Sequence, residues 1–187
     1  MQHMNCSCET YLSGGSAFAP PNRRQFLKLG ALGGAAALLG PVLPRFAFAA
    51  GSADALLLNC IDYRLTDKVT AYMAGRGLAE NYDQFILAGA ALGAVTSEYP
   101  DWGKSFRDHL ALAIKLHGIH RVVVIDHRDC GAYKLILGKD LAGDPAEETK
   151  IHGQILARLK RQILTHHPAL AVETGIMALD GSVQMLS

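Results

Sequence analysis

Nothing in this sequence pulls strongly on a charged partner. Its 187 residues carry 18 Lys and Arg against 17 Asp and Glu, a formal net charge of +1. There is no Lys/Arg run and no stripe of basic and aromatic residues, which argues against nucleic acid as a ligand. Aromatics make up only 7 % of the chain, yet half of it is apolar, as in an ordinary globular core. There is no internal repeat and no low-complexity linker. Cysteine is scarce, with four in all, and no Cys-x-x-Cys occurs, so a thiol-redox protein ranks last among the readings.

What is present begins at the N-terminus. Asn22-Arg23-Arg24-Gln25-Phe26-Leu27-Lys28 carries a twin arginine. An apolar stretch follows from Leu27 to Leu43, broken by Gly30, Gly33, Gly34, Gly40 and Pro41. Then come Arg45 and the small-x-small pattern Ala47-Phe48-Ala49-Ala50. The whole resembles a twin-arginine export signal. A membrane anchor is the alternative, but the stretch barely reaches the roughly 17–25 residues of a spanning helix, and its glycines and proline weaken it. Residues 1–49 are therefore expected to be a cleaved signal and residues 50–187 one domain, with no stable membrane insertion after cleavage. The destination is periplasmic or extracellular.

Cleavage removes four basic residues, one acidic residue, and Cys6 and Cys8, leaving a balance near −2. Only Cys60 and Cys130 survive. In an exported protein, a Cys60–Cys130 disulfide is one reading of such a pair. The twin-arginine route argues against it, because that route carries proteins folded in the reducing cytoplasm, where a metal would hold both thiols as thiolates.

The mature chain alternates strands and helices. Short apolar runs at Ala55–Asn59, Gln84–Ala88 and His120–Ile125 predict three strands, each apolar throughout like strands covered on both faces. Helices are predicted from Thr66 to Arg76 and from Trp102 to His117 behind an Asp101 cap. A third runs from near Asp144-Pro145 to before Pro168. Ala169–Ala178 and Val183–Leu186 flank Asp180-Gly181, a hairpin signal. The fold class is α/β: a central, mainly parallel β-sheet flanked by helices, with a C-terminal antiparallel hairpin.

Two motifs follow the first and third strands. They are Cys60-Ile61-Asp62-Tyr63-Arg64 and His127-Arg128-Asp129-Cys130-Gly131. Parallel strands bring both to the same sheet edge, where open α/β sheets bind ligands. Two thiolates and an imidazole form a soft donor set that selects zinc, and three protein ligands leave a fourth position open. Cys60, His127 and Cys130 are the candidate zinc ligands. Asp62 can fill or guard the open position, and Arg64 can pair with it and keep it ionised. Asp126 either supports His127 from behind or faces away. Asp129 is expected to cap the following helix. Tyr63 is placed at the pocket rim. His109, His117, His120, His166 and His167 are expected to be bystanders.

Cys-x-Asp-x-Arg followed by His-x-x-Cys-Gly resembles the β-class carbonic anhydrase family, with similarity over roughly Leu56 to Lys134. The resemblance implies Cys60, His127 and Cys130 as ligands of Zn2+, Asp62 with Arg64 as the catalytic pair, and a homodimer or higher homo-oligomer. It implies reversible hydration of carbon dioxide to bicarbonate by zinc-bound hydroxide. Where that family carries a polar Arg-Asn segment after the second strand, this chain reads Leu87-Ala88-Gly89-Ala90-Ala91-Leu92-Gly93. That feature keeps a second reading open, a related zinc hydrolase acting on carbonyl sulfide, carbon disulfide or another small electrophile. A non-catalytic zinc-binding homologue is the third, and Asp62 with Arg64 speaks against it, because zinc binding alone needs neither.

Overall fold

The computed structural model describes residues 51–186; the export motif lies outside them. Strands β1 (Ala55–Asn59), β2 (Tyr82–Ile86), β3 (Arg121–His127), β4 (Ala171–Met177) and β5 (Val183–Met185) form one sheet in the order β2-β1-β3-β4-β5. The first four run parallel, and β5 closes the edge antiparallel to β4. The expected α/β sheet with its terminal hairpin is what forms.

The period-2 alternation of β1 and β3 sorts the core. Leu56, Leu58, Val122 and Val124 face one side. There they pack against α2 (Ala91–Val95), α3 (Pro100–His117), α4 (Gly131–Leu137) and α5 (Pro145–His166). Ala55, Leu57, Val123 and Ile125 face the other, under Val69 and Met73 of α1 (Thr66–Gly75). Both central strands are buried on both faces, which explains their uninterrupted apolar runs.

The second strand spans Tyr82–Ile86, two residues earlier than its apolar run, because its register is set by pairing Tyr82 with Ala55 and Ile86 with Asn59. It is an edge strand with Ile86 exposed, not a doubly covered one. The third strand runs on through Asp126 to His127, so the histidine ends the strand instead of following it. Helix α3 starts at Pro100, with Pro in its first turn and Tyr99 at the N-cap, not at an Asp101 cap. Gly118 ends it in the left-handed conformation, as expected. Asp144 caps α5 by accepting from the Glu147 N–H at 3.0 Å.

Helix α2 packs close against the turn that leads into it. A Cβ on Gly93 would lie 2.3 Å from the Ala88 carbonyl oxygen and 2.9 Å from Leu87 Cγ. Backbone cannot yield there as a flexible side chain would. Gly93→Ala is therefore expected to destabilise the protein by about 1–3 kcal/mol, as other overpacked sites do. Urea unfolding would show it as a lower midpoint at an unchanged slope.

Candidate metal centre

The β1–β3 register places Asn59 opposite Ile125, so Cys60 emerges level with Asp126 and His127. After β1 the chain turns to α1 on one face; after β3 it turns to α4 and α5 on the other. The crevice between these departures is a topological switch point. Cys60, His127 and Cys130 meet in it, all buried, and their ligand atoms lie within 4.8 Å of one another.

The trio fits a metal on two independent counts. The first is sulfur spacing. Cys60 and Cys130 are free thiols with Sγ atoms 3.9 Å apart. Two thiolates bound tetrahedrally to one zinc at about 2.3 Å would sit roughly 3.8 Å apart, whereas a disulfide needs about 2.05 Å. The second is the histidine tautomer. His127 Nδ1 donates to the Arg128 carbonyl at 2.8 Å, which leaves Nε2 as the bare nitrogen. That Nε2 is buried and has no hydrogen-bond partner among the described residues. An orphaned buried acceptor is costly unless something binds it.

Electrostatics agree. The hydrogen bond between the two thiols pushes Cys60 well below the usual thiol range, against its burial, with His127 helping. The same bond and burial push Cys130 up. Burial pulls His127 down, but the Cys60 sulfur outweighs it and the net shift is upward. One negative charge is thus readily held between the sulfurs, and a cation is what would let both ionise.

Asp62 caps the short 3-10 turn Tyr63–Leu65, accepting from the Arg64 N–H at 3.0 Å. The Arg64 guanidinium then folds back onto the same carboxylate. Nε donates to Oδ1 at 3.0 Å and Nη2 to Oδ2 at 2.7 Å, a bidentate fork. These bonds hold the Asp62 carboxyl down at about 2. Its Oδ2 lies 3.8 Å from His127 Nε2, beside the ligand trio. All five residues singled out from the sequence therefore meet in one place.

Two further side chains brace the site. Asp129 is not a helix cap; the cap of α4 is Cys130, and Asp129 stands at φ 54. Its carboxylate accepts from Arg64 Nη1 at 2.7 Å and its carbonyl from Nη2 at 3.0 Å. One guanidinium thus joins both motifs. Glu148, buried on α5, accepts from the Asp129 N–H at 2.7 Å and from Arg128 Nη1 at 3.1 Å. In the sequence Glu148 reads only as an acid in a first helical turn, which is ordinary.

Asp126 faces away from His127. Strand alternation turns it toward the helices, where it accepts from the Ala91 N–H, the Tyr133 hydroxyl and His152 Nδ1. His152 carries no signal in the sequence beyond its place in an amphipathic helix. Tyr63 is 87 % exposed, a surface residue more than a pocket rim. The histidines judged bystanders stay away from the trio: His120 pairs with Asp54, His117 with Asp83, and His109 with the Ser105 carbonyl. His166 and His167 line a groove of about 590 Å³ between α3 and α5 that shares no residue with the metal centre.

A family model described as "Putative carbonic anhydrase" matches residues 51–173, and one for the twin-arginine translocation signal sequence matches residues 20–40. An uncharacterized protein of Rickettsia conorii is 37 % identical over 134 residues, covering 72 % of each chain. Another, from Rickettsia bellii, is 35 % identical over 134 residues, covering 72 % of this chain and 82 % of the relative. Among solved structures, a carbonic anhydrase from Glaciozyma antarctica aligns with 88 % of this chain and 94 % of its own, at 15 % identity and TM-score 0.48. A beta-carbonic anhydrase from Trichomonas vaginalis aligns with 74 % and 84 %, at 15 % identity and TM-score 0.49. No helix among the described residues is long and apolar enough to cross a membrane.

Proposed function

This chain belongs to the family described as "Putative carbonic anhydrase", and from that premise we propose that it hydrates carbon dioxide reversibly to bicarbonate with Zn2+ held by Cys60, His127 and Cys130. The observation that carries the reading is the orphaned, buried His127 Nε2 between two thiols spaced for one tetrahedral ion, with an Arg-held carboxylate alongside. Zinc held by these three residues would supply the Lewis acidity that makes a water beside Asp62 easier to deprotonate.

The chain's own residues do the rest. Cys60 and Cys130 provide charge and His127 a neutral nitrogen whose direction the Arg128 carbonyl fixes. Asp62 accepts a hydrogen bond from the attacking water and so aims its oxygen at the carbon of carbon dioxide. Arg64 keeps Asp62 ionised and turned inward, and Asp129 keeps Arg64 in place. The water oxygen joins the carbon, one proton leaves to solvent, and bicarbonate is the product.

Cleavage after Ala49 would release residues 50–187 to the periplasm or beyond. A homo-oligomer is supported by Ile61 and Ile86, which are 63 % and 51 % exposed, the first inside a site motif and the second on the open edge strand β2.

The test is zinc content per chain and carbon dioxide hydration on one purified sample. Near one zinc per chain with hydration supports the reading. Zinc without hydration overturns carbon dioxide as substrate and turns the search to carbonyl sulfide and its relatives, a reading favoured by the apolar Leu87–Gly93 segment. No zinc overturns the metal centre itself.

A further inference from the structure

A carboxylate is an expensive residue to place inside a buried strand. Asp126 follows Val122, Val123, Val124 and Ile125 and is 1 % exposed. Another apolar residue would continue the strand without the desolvation cost. The reason for the carboxylate lies in its three partners. Oδ1 accepts from the Ala91 N–H at 2.9 Å. Oδ2 accepts from the Tyr133 hydroxyl at 2.5 Å and from His152 Nδ1 at 2.8 Å. The Tyr133 and His152 rings stack at 3.8 Å, so the hub is packed as well as bonded.

Two of these partners lead to the metal thiols. Ala91 opens α2 at the end of a turn in which Gly89 has φ 70 and Ala90 has φ 39 and ψ −102. For alanine, a positive φ with this ψ lies outside the allowed regions and costs about 1–3 kcal/mol, a strain that persists only where neighbours over-determine it. The turn has a use at the site, because the Gly89 N–H donates to Cys60 Sγ at 3.3 Å. Gly89 is also wedged against α4; a Cβ there would lie 3.2 Å from Ala132 Cβ. Tyr133 stands on α4, three residues after Cys130, which caps that helix. Thus one carboxylate is tied to the turn that bonds Cys60 and to the helix that begins at Cys130.

We propose that Asp126 is a positioning residue of the metal centre, holding the strained Gly89–Ala91 turn and helix α4 so that the Gly89 N–H stays on Cys60 Sγ and the two sulfurs keep their spacing. This rests on the metal-centre reading above. An N–H bond to a thiolate draws charge from the sulfur, so Asp126 sets both the geometry and the donor strength of Cys60 without touching it.

The test uses the full chain, with Asp126→Asn and Tyr133→Phe. The amide cannot accept all three bonds, whereas the phenylalanine removes one and keeps the ring stack. Amide hydrogen exchange across Gly89–Ala91 is followed in the metal-free protein. Zinc affinity is measured by competition with a chromophoric chelator, and the thiolate-to-metal absorption band is recorded after cobalt substitution. Asp126→Asn is expected to speed exchange in the turn by about tenfold or more. It should also weaken zinc by about 10–100-fold and move the cobalt band to lower energy. Tyr133→Phe should move all three in the same direction by less. If Asp126→Asn does not fold, Tyr133→Phe decides alone. Wild-type exchange, affinity and band in a folded variant would overturn the proposal, even with a lowered melting temperature, since that would mark a purely structural hub. If the wild-type protein binds neither zinc nor cobalt, the metal centre fails instead, and the exchange measurement shows separately whether Asp126 holds the turn.

Discussion

Cys60→Ser combined with Cys130→Ser takes bound zinc from near one per chain to the level of the buffer, and carbon dioxide hydration falls to the uncatalysed rate. Serine nearly matches cysteine in shape, so packing in the crevice changes little. What changes is the donor: a serine hydroxyl does not ionise near neutrality, and a single imidazole cannot hold the ion. Elemental analysis and stopped-flow hydration on wild type and variant check this directly. The variant should also match chelator-treated wild-type protein in melting temperature, because each has lost the same ligand stabilisation. With free metal at a thousand times its dissociation constant that stabilisation is about 4 kcal/mol. Acidification works in the same direction, since protonation of the sulfurs competes with the metal. A variant that kept stoichiometric zinc would move the site elsewhere.

Asp62→Asn is expected to leave zinc in place and lower kcat/KM for carbon dioxide hydration by about 10²–10⁴-fold, the range for losing a positioned proton acceptor. The asparagine oxygen can still accept from Arg64, so the local fold survives. What disappears is a carboxylate beside His127 Nε2. The sign of the pH effect follows from its lowered pKa. Asp62 is already ionised well above about 2, so its acceptor role is constant through the physiological range and is lost only as the pH falls toward that value. The stability contributed by the Asp62–Arg64 pair follows the same course, full above the ordinary carboxylate pKa and vanishing in strong acid. The decisive pairing is zinc content with rate. Loss of both together would make Asp62 a structural residue, and unchanged rates with zinc retained would remove it from catalysis.

The residues of the candidate metal centre could be picked out in the sequence because their signals are local in kind. Cys60 and Cys130 each follow a strand signal closely, and parallel strands end at one edge whatever their register. The strand bearing Phe85 and Ile86 is less legible. Its apolar run suggested a doubly covered strand, yet its limits come from pairing with β1, and one edge of it is open. Helices α2 and α4 are five and seven residues long, too short to show a period. The braces were invisible for another reason. Asp129 meets Arg64 across 65 residues and His152 meets Asp126 across 26. No spacing rule relates residues joined only by tertiary packing. A lone Asp after four β-branched residues was the one hint of the second network, and it did not indicate which way the side chain turned.

The strand order has a kinetic consequence. β1 lies between β2 and β3, so Cys60 waits for chain 70 residues further on before it meets Cys130. A partly folded chain with only β1 and β2 paired offers a single thiol and no imidazole. An ion held by all three ligands would thus reward only states in which β1 and β3 have already paired. Contacts that form late slow unfolding more than they speed folding. A metal held there would in this sense be a latch on that pairing, one that lengthens the folded protein's lifetime.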